Sequence, residues 1–147
     1  MIKEHYDAVR ALLPEGMQVY VGNVEGELLP DGKRAPIKYP YVCLWGDLGD
    51  ESSGGPDGES LGDVPAVLSL RPRATYAGLT FDSVLIVARN VRATLSRKTP
   101  AVTGWRTNPL RQSTLMDVQV DRDVTIPGSG AHPLFAVDEF ALVSHKL

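Results

Sequence analysis

Cysteine is all but missing from this chain. Cys43 is the only one, so no internal disulfide can form and nothing calls for an oxidising compartment. Long apolar runs are missing too. Stretches such as Tyr41–Trp45 fall far short of the ~20 residues that span a bilayer, and Met1-Ile2-Lys3-Glu4-His5-Tyr6-Asp7 lacks the apolar centre of a secretory signal. These absences lead us to expect folding in a cytosol, with no membrane partner. Basic charge is not in excess: the formal net charge is −3, whereas gripping duplex phosphate needs a concentrated basic surface.

Signatures of chemistry are equally sparse. The glycines between Gly46 and Gly62 precede no Lys-Ser/Thr pair and open no helix, so they form no phosphate loop. Gly128-Ser129-Gly130 lacks the spacing of a nucleophile elbow and reads as a turn. His5, His132 and His145 have no metal-ligand spacing, and Cys43, set in an apolar stretch, reads as a small core residue. These negatives predict neither an enzyme nor a cofactor.

What is present fits one globular domain. The chain has 147 residues, of which 43% are hydrophobic and 22% charged, enough for one core and too few for two. Ile2, Tyr6, Val9 and Leu13 recur at helical spacing, predicting a helix over 2–13 that Pro14 and Gly16 end. Met17–Val21 alternates as a strand. Tyr41–Trp45 is apolar throughout and predicts a strand covered on both sides. Ala66–Tyr76 alternates again: Leu68, Leu70, Ala74 and Tyr76 share one face, Ser69, Arg71, Arg73 and Thr75 the other, and Pro72 marks a bulge or an edge. Thr80 caps a helix predicted over 80–98, with a stripe of Val84, Ala88, Val91 and Leu95 widened by Phe81 and Leu85. The alternation of Met116–Asp121 and the run Phe135–Val143 predict a closing hairpin with a long connector. With only one helical crossover, the order favours an α+β fold: a mostly antiparallel sheet with two helices on one face.

Two segments, 22–40 and 46–63, read as long loops. The first holds the turn signal Pro30-Asp31-Gly32, followed by Lys33-Arg34. The second carries Asp47, Asp50, Glu51, Asp57, Glu59 and Asp63 with no basic residue, and such a composition does not order itself alone. Asp57-Gly58-Glu59-Ser60-Leu61-Gly62 begins like a calcium loop, but Leu61 stands at a ligand position and Leu68 where the closing glutamate belongs. Asp117, Asp121 and Asp123 are the best carboxylates for a metal-dependent hydrolase or nuclease; the solvated face of a half-buried strand accounts for them better. Arg71 and Arg73, and the late-helix group Arg89, Arg92, Arg97 and Lys98, suit protein–protein ion pairs or a solvated face better than nucleic acid, since no aromatic platform accompanies them.

An ordered set of strings resembles the tail terminator proteins of long-tailed (siphovirus-type) actinobacteriophages: Val9-Arg10-Ala11-Leu12-Leu13, Tyr39-Pro40-Tyr41-Val42, the polar Gly46–Asp63 segment, Val91-Arg92, Gly104-Trp105-Arg106, Asp121-Arg122-Asp123-Val124 and His132-Pro133-Leu134-Phe135-Ala136-Val137-Asp138. They are structural strings, covering nearly the whole chain. The resemblance implies a small α/β sandwich that assembles as a homo-hexameric ring, caps the tail tube, stops its polymerisation and offers a surface for joining the head. It implies no enzyme activity and no cofactor. The implied partners are further copies of the chain, the tail tube protein and the head–tail connector or neck proteins, with genomic DNA passing through the lumen without specific binding. The implied location is the neck end of the virion tail, after assembly in the host cytoplasm. A connector or stopper protein of the same neck is the alternative within this class. On either reading the candidate subunit or lumen interface comprises Lys33, Arg34, Asp47, Asp50, Glu51, Asp57, Glu59, Asp63, Arg71 and Arg73. Lys33-Arg34 and the acidic segment, being opposite in charge, are expected to steer neighbouring subunits together.

Overall fold

A computed structural model describes residues 1–53 and 66–147. Helix α1 spans Ile2–Ala11 and α2 spans Phe81–Leu95. The strands are β1 Val19–Val21, β2 Tyr41–Trp45, β3 Asp50–Ser53, β4 Ala66–Leu70, β5 Arg73–Gly78, β6 Trp105–Thr107, β7 Arg111–Val120 and β8 Leu134–Lys146. All eight join one sheet, antiparallel except where β1 lies parallel to β2. This is the α+β architecture expected from the element order.

The 13-residue β8 is the spine. On one side β5 pairs with its first half and β4 with its second, in a single unbroken register. Pro72 sits between β4 and β5. It donates no N–H, but its carbonyl accepts from Phe140 N–H at 2.7 Å, so the ladder bridges the break. On the other side β7 pairs with the first half of β8 and β6 with the second, and Asn108 N–H to the Val143 carbonyl at 2.9 Å bridges that gap. The β7–β8 hairpin was legible as alternation; the structure adds two register shifts along it.

Both helices lie on one face. His5 of α1 meets the Ser144 hydroxyl at 2.8 Å and Arg92 of α2 meets Asp138 at 2.6 Å, and these even-numbered positions of β8 share a side with Phe140 and Leu142. One core fills the space between, built from Val9, Val84, Val91 and Leu95 of the helices and Val42, Leu68, Tyr76 and Phe140 of the sheet. The face predicted for Leu68, Leu70, Ala74 and Tyr76 is the buried one.

Three expectations need correction. The second helix ends at Leu95, because Ser96 turns extended and Arg97 takes a positive φ of 62°, which lets Arg97 N–H reach the Leu110 carbonyl at 2.9 Å. Its buried stripe is Val84, Val87, Val91 and Leu95; Phe81 and Leu85 are exposed. Segment 46–63, read as loop, contains β3: Asp50–Ser53 pairs with β4, whose free edge supplies the backbone partners that the polar side chains alone would not favour. Segment 22–40 holds no helix or strand, as read, and folds back on itself around the Pro30-Asp31-Gly32 turn, with Leu29 N–H to the Lys33 carbonyl at 2.7 Å and Ala35 N–H to the Glu27 carbonyl at 2.8 Å.

Candidate assembly surface

With the helices on one side, the odd-numbered positions of β8 face away from them. That helix-free face carries Tyr41 and Trp45 from β2, Arg73 and Thr75 from β5, and Phe135, Val137 and Glu139 from β8, as the registers require. Tyr39, Tyr41, Trp45, Met116, Val124 and Phe135 line a concavity of about 320 Å³ there. Cys43 lies on this face and is buried, which pushes its thiol pKa up, as suits an inert packing residue. Burial likewise lifts Tyr41, the nearby Tyr39 phenol adding to the effect, to about 12.

Arg71 and Arg73 do share this face, and both turn to Glu139, at 3.8 and 3.9 Å. Neither distance is a hydrogen bond. Arg73 Nε and Glu139 Oε1 are buried without a hydrogen-bond partner among the described residues. The Arg73 guanidinium instead lies 5.0 Å above the Trp45 ring, whose Nε1–H donates to Thr75 Oγ1 at 2.9 Å. Alternation placed the two arginines together; Glu139, distant in sequence, had no local signal.

The other site candidates separate. Asp47 is structural: its carboxylate accepts Arg71 N–H at 2.9 Å and its carbonyl accepts the Tyr6 hydroxyl at 2.7 Å, tying α1 to the β4–β5 junction. Burial, with Asp47 beside it, raises the Tyr6 phenol to about 12. Asp50 and Glu51 sit exposed on β3, which among the described residues is at an edge of the sheet. Asp57, Glu59 and Asp63 lie outside the described residues. Arg34 is used inside its own segment, 3.6 Å from Glu25 and bonded to the Gly26 carbonyl at 3.3 Å, while Lys33 is exposed at the turn. Among the described residues, neither of that basic pair forms an ion pair with Asp47, Asp50 or Glu51 within one copy.

Asp117, Asp121 and Asp123 form no metal-binding group: among the described residues no three His, Cys, Asp or Glu side chains converge in that way. The Asp121 carboxylate accepts Asp123 N–H at 3.2 Å, closing a local turn. The polar cluster that sequence reasoning missed is buried. Asp138, 1% exposed, accepts from Tyr76, Arg92 and Gln112. Every partner is a donor and the carboxylate is enclosed, so it locks α2 to three strands and leaves no room for a substrate.

Strand β7 completes the surface. It is ten residues long and pairs, among the described residues, only with β8. Leu115, Met116 and Val120 on it are each at least 40% exposed. Among the described residues no helix is long and apolar enough to cross a membrane. A scan of protein-family models finds no match to this chain, and a search of curated proteins finds no relative of it.

Proposed function

We propose that this protein is a non-catalytic ring subunit of a phage virion, a tail terminator that caps the tail tube, ends its polymerisation and presents a joining surface to the head and neck. The observation that carries the reading is β7: a ten-residue edge strand with three exposed large apolar side chains. Natural sheets blunt such edges or pair them, because an open apolar edge recruits other chains. A subunit whose partners are further copies and a protein tube has a use for that edge; a monomeric enzyme does not. The strings that resemble tail terminators give the kind of assembly. The ordered ladder in 22–40 and the clustered carboxylates of 46–63 suit contacts made at a ring's rim or lumen, where negative charge keeps DNA from sticking as it passes.

The test is to mix the purified protein with purified tail tubes and with portal complexes, and to image both by negative stain. Rings alone, or rings capping tubes that then stop growing, support the reading. Binding to the portal and not to the tube points to a connector or stopper. A monomer that ignores both removes the reading.

A further inference from the structure

Strands β1 and β7 lie level, at the two ends of the same rows of paired residues. Val21 opposes Leu44, Leu44 opposes Ala74, Ala74 opposes Asp138 and Asp138 opposes Thr114. One step along, Tyr20 opposes Cys43, Cys43 opposes Thr75, Thr75 opposes Val137 and Val137 opposes Met116. The directions of the end strands differ: β1 runs with β8, whereas β7 runs against it. A second copy set beside the first in the same orientation therefore offers its β1 to β7 in antiparallel sense, the geometry in which a sheet extends most readily.

Both strands hold outward backbone groups for such a pairing. The Gln18 carbonyl and the Gly22 N–H bond to β2, so alternation turns Val19 and Val21 outward. The Val21 carbonyl accepts Asn23 N–H at 2.8 Å, but among the described residues the Val21 N–H and both polar groups of Val19 make no backbone hydrogen bond. On β8 the Phe140 N–H turns to Pro72 and the Val143 carbonyl to Asn108, so its odd-numbered residues address β7. Their partners Arg111, Ser113 and Met116 point into the pair, which leaves Gln112 and Thr114 turned outward. The run holding Arg97 and Lys98 bonds to Leu110 and makes no backbone hydrogen bond beyond it to 111–120.

Side chains and charge match as well. A row keeps its face, so Val21 meets Thr114 on the helix side and Tyr20 meets Met116 on the helix-free side. Val21 is 55% and Met116 40% exposed, and the pairing covers both. Lys38 N–H reaches the Tyr20 hydroxyl at 3.2 Å, which sets Lys38 beside Tyr20, and Asp117 follows Met116. Antiparallel order likewise carries Glu15, just before β1, towards Arg122, just after β7. All four charged side chains are exposed, and none is in an ion pair among the described residues.

We infer that copies of this chain join edge to edge, β7 of one copy against β1 of the next, with Asp117 set against Lys38. The occupant of each edge is a second copy. The contact is heterologous, so it repeats and closes into a ring when the rotation allows. This deepens the ring reading and rests on it for the association of copies.

Two experiments on full-length protein separate the outcomes. In a Cys43→Ala background, Val21→Cys and Thr114→Cys proteins are purified apart, mixed with and without tail tubes, and oxidised mildly. Paired residues on antiparallel strands fall within the Cα separation that a disulfide bridges, so a mixed dimer is expected, and the double variant is expected to give a ladder of multimers. Thr114→Cys alone is expected to stay uncrosslinked; a homodimer of it would make β7 of the second copy the occupant and overturn the pairing with β1. In the second experiment, ring formation, alone or on tail tubes, is measured for Asp117→Lys, for Lys38→Glu and for the double variant. Each single reversal turns an attraction into a repulsion and is expected to weaken association about tenfold, and Lys38→Glu/Asp117→Lys is expected to recover it. Circular dichroism checks that each variant is folded. Rings that form normally in all variants and give no mixed disulfide overturn this interface and leave the ring reading standing. A protein that never associates, with or without tubes, overturns both.

Discussion

Arg92 of α2 grips the buried Asp138 of β8 with two hydrogen bonds, Nε to Oδ2 at 2.6 Å and Nη2 to Oδ1 at 2.8 Å. The bond to Asp138 is the main reason the guanidinium holds its proton more tightly than usual. Tyr76 donates to the same carboxylate at 2.7 Å and Gln112 at 3.1 Å, so one anion collects donors from α2, β5 and β7. Its burial and the Asp138 carboxylate push the Tyr76 phenol far above its ordinary range.

Removing the cation strands the anion. Breaking a buried pair from one side costs ~3–5 kcal/mol. Arg92 is itself 43% exposed, so water can enter the vacated space, and Arg92→Met is expected at the low end of that range. Urea denaturation measures it. Arg92→Met/Asp138→Asn is expected to lose less than the two single variants added together, because the neutral amide no longer needs the cation. Strict additivity would show that the two side chains do not couple.

Leu95 and Leu85 both belong to the stripe read from the sequence, yet the fold treats them differently. Leu95 is fully buried and Leu85 is 43% exposed. Leu95→Ala is expected to cost ~2–5 kcal/mol, the transfer term plus a cavity. Leu85→Ala is expected to stay within ~0.5 kcal/mol. Thermal melts of the two variants side by side decide the matter. Equal losses would mean that α2 is rotated about its axis relative to the face described above.

That contrast locates what was legible. Spacing alone finds the axis of the α2 stripe, through Val84, Val91 and Leu95, because helical period is a local property. It cannot set the width of the stripe, since the sheet decides whether Val87 or Leu85 is covered. The split at Pro72 and the shared face of Arg71 and Arg73 were legible for the same local reason. The Arg92–Asp138 and Arg73–Glu139 pairs were not: their members stand 46 and 66 residues apart, and only the register of β5 and α2 on β8 unites them. β3 was hidden differently. Asp50 and Glu51 have poor strand preference, and the strand exists because β4 offers an edge.

The segment 22–40 tests whether a long excursion is ordered by its own contacts. Gly26 packs against Ala35 so closely that an added Cβ would sit 1.7 Å from the Ala35 carbonyl oxygen. Gly26→Ala is therefore expected to open the ladder, and hydrogen exchange at the Ala35 amide is expected to speed up at least tenfold. Global stability should change by ~0.5 kcal/mol or less, as for a surface site, because Leu28 and Leu29 in this segment are exposed and belong to no core. Unchanged exchange at Ala35 would mean that the ladder does not protect that amide.

Alkaline pH reads the junction of α1 and β2. Burial, with Asp47 next in effect, raises Tyr6 from 10.0 to about 12, and burial with the nearby Tyr39 does the same for Tyr41. A raised phenol pKa means that the folded state holds its proton longer than the unfolded chain does. Below pH 10 both states are protonated and the contribution to stability is fully present. Between pH 10 and about 12 the unfolded chain sheds protons that the folded chain keeps, so stability falls as pH rises. Tyr6→Phe removes one of these protons and also the hydrogen bond to the Asp47 carbonyl. It is expected to be less stable than the parent near neutrality by about 1 kcal/mol, yet to lose stability more slowly through the alkaline window, so that the two curves converge. Urea midpoints across a buffer series, with tyrosinate absorbance followed in parallel, give both quantities. Parallel curves for Tyr6→Phe and the parent would show that the Tyr6 phenol ionises as readily in the fold as in the open chain, and that its bond to Asp47 does not close the junction.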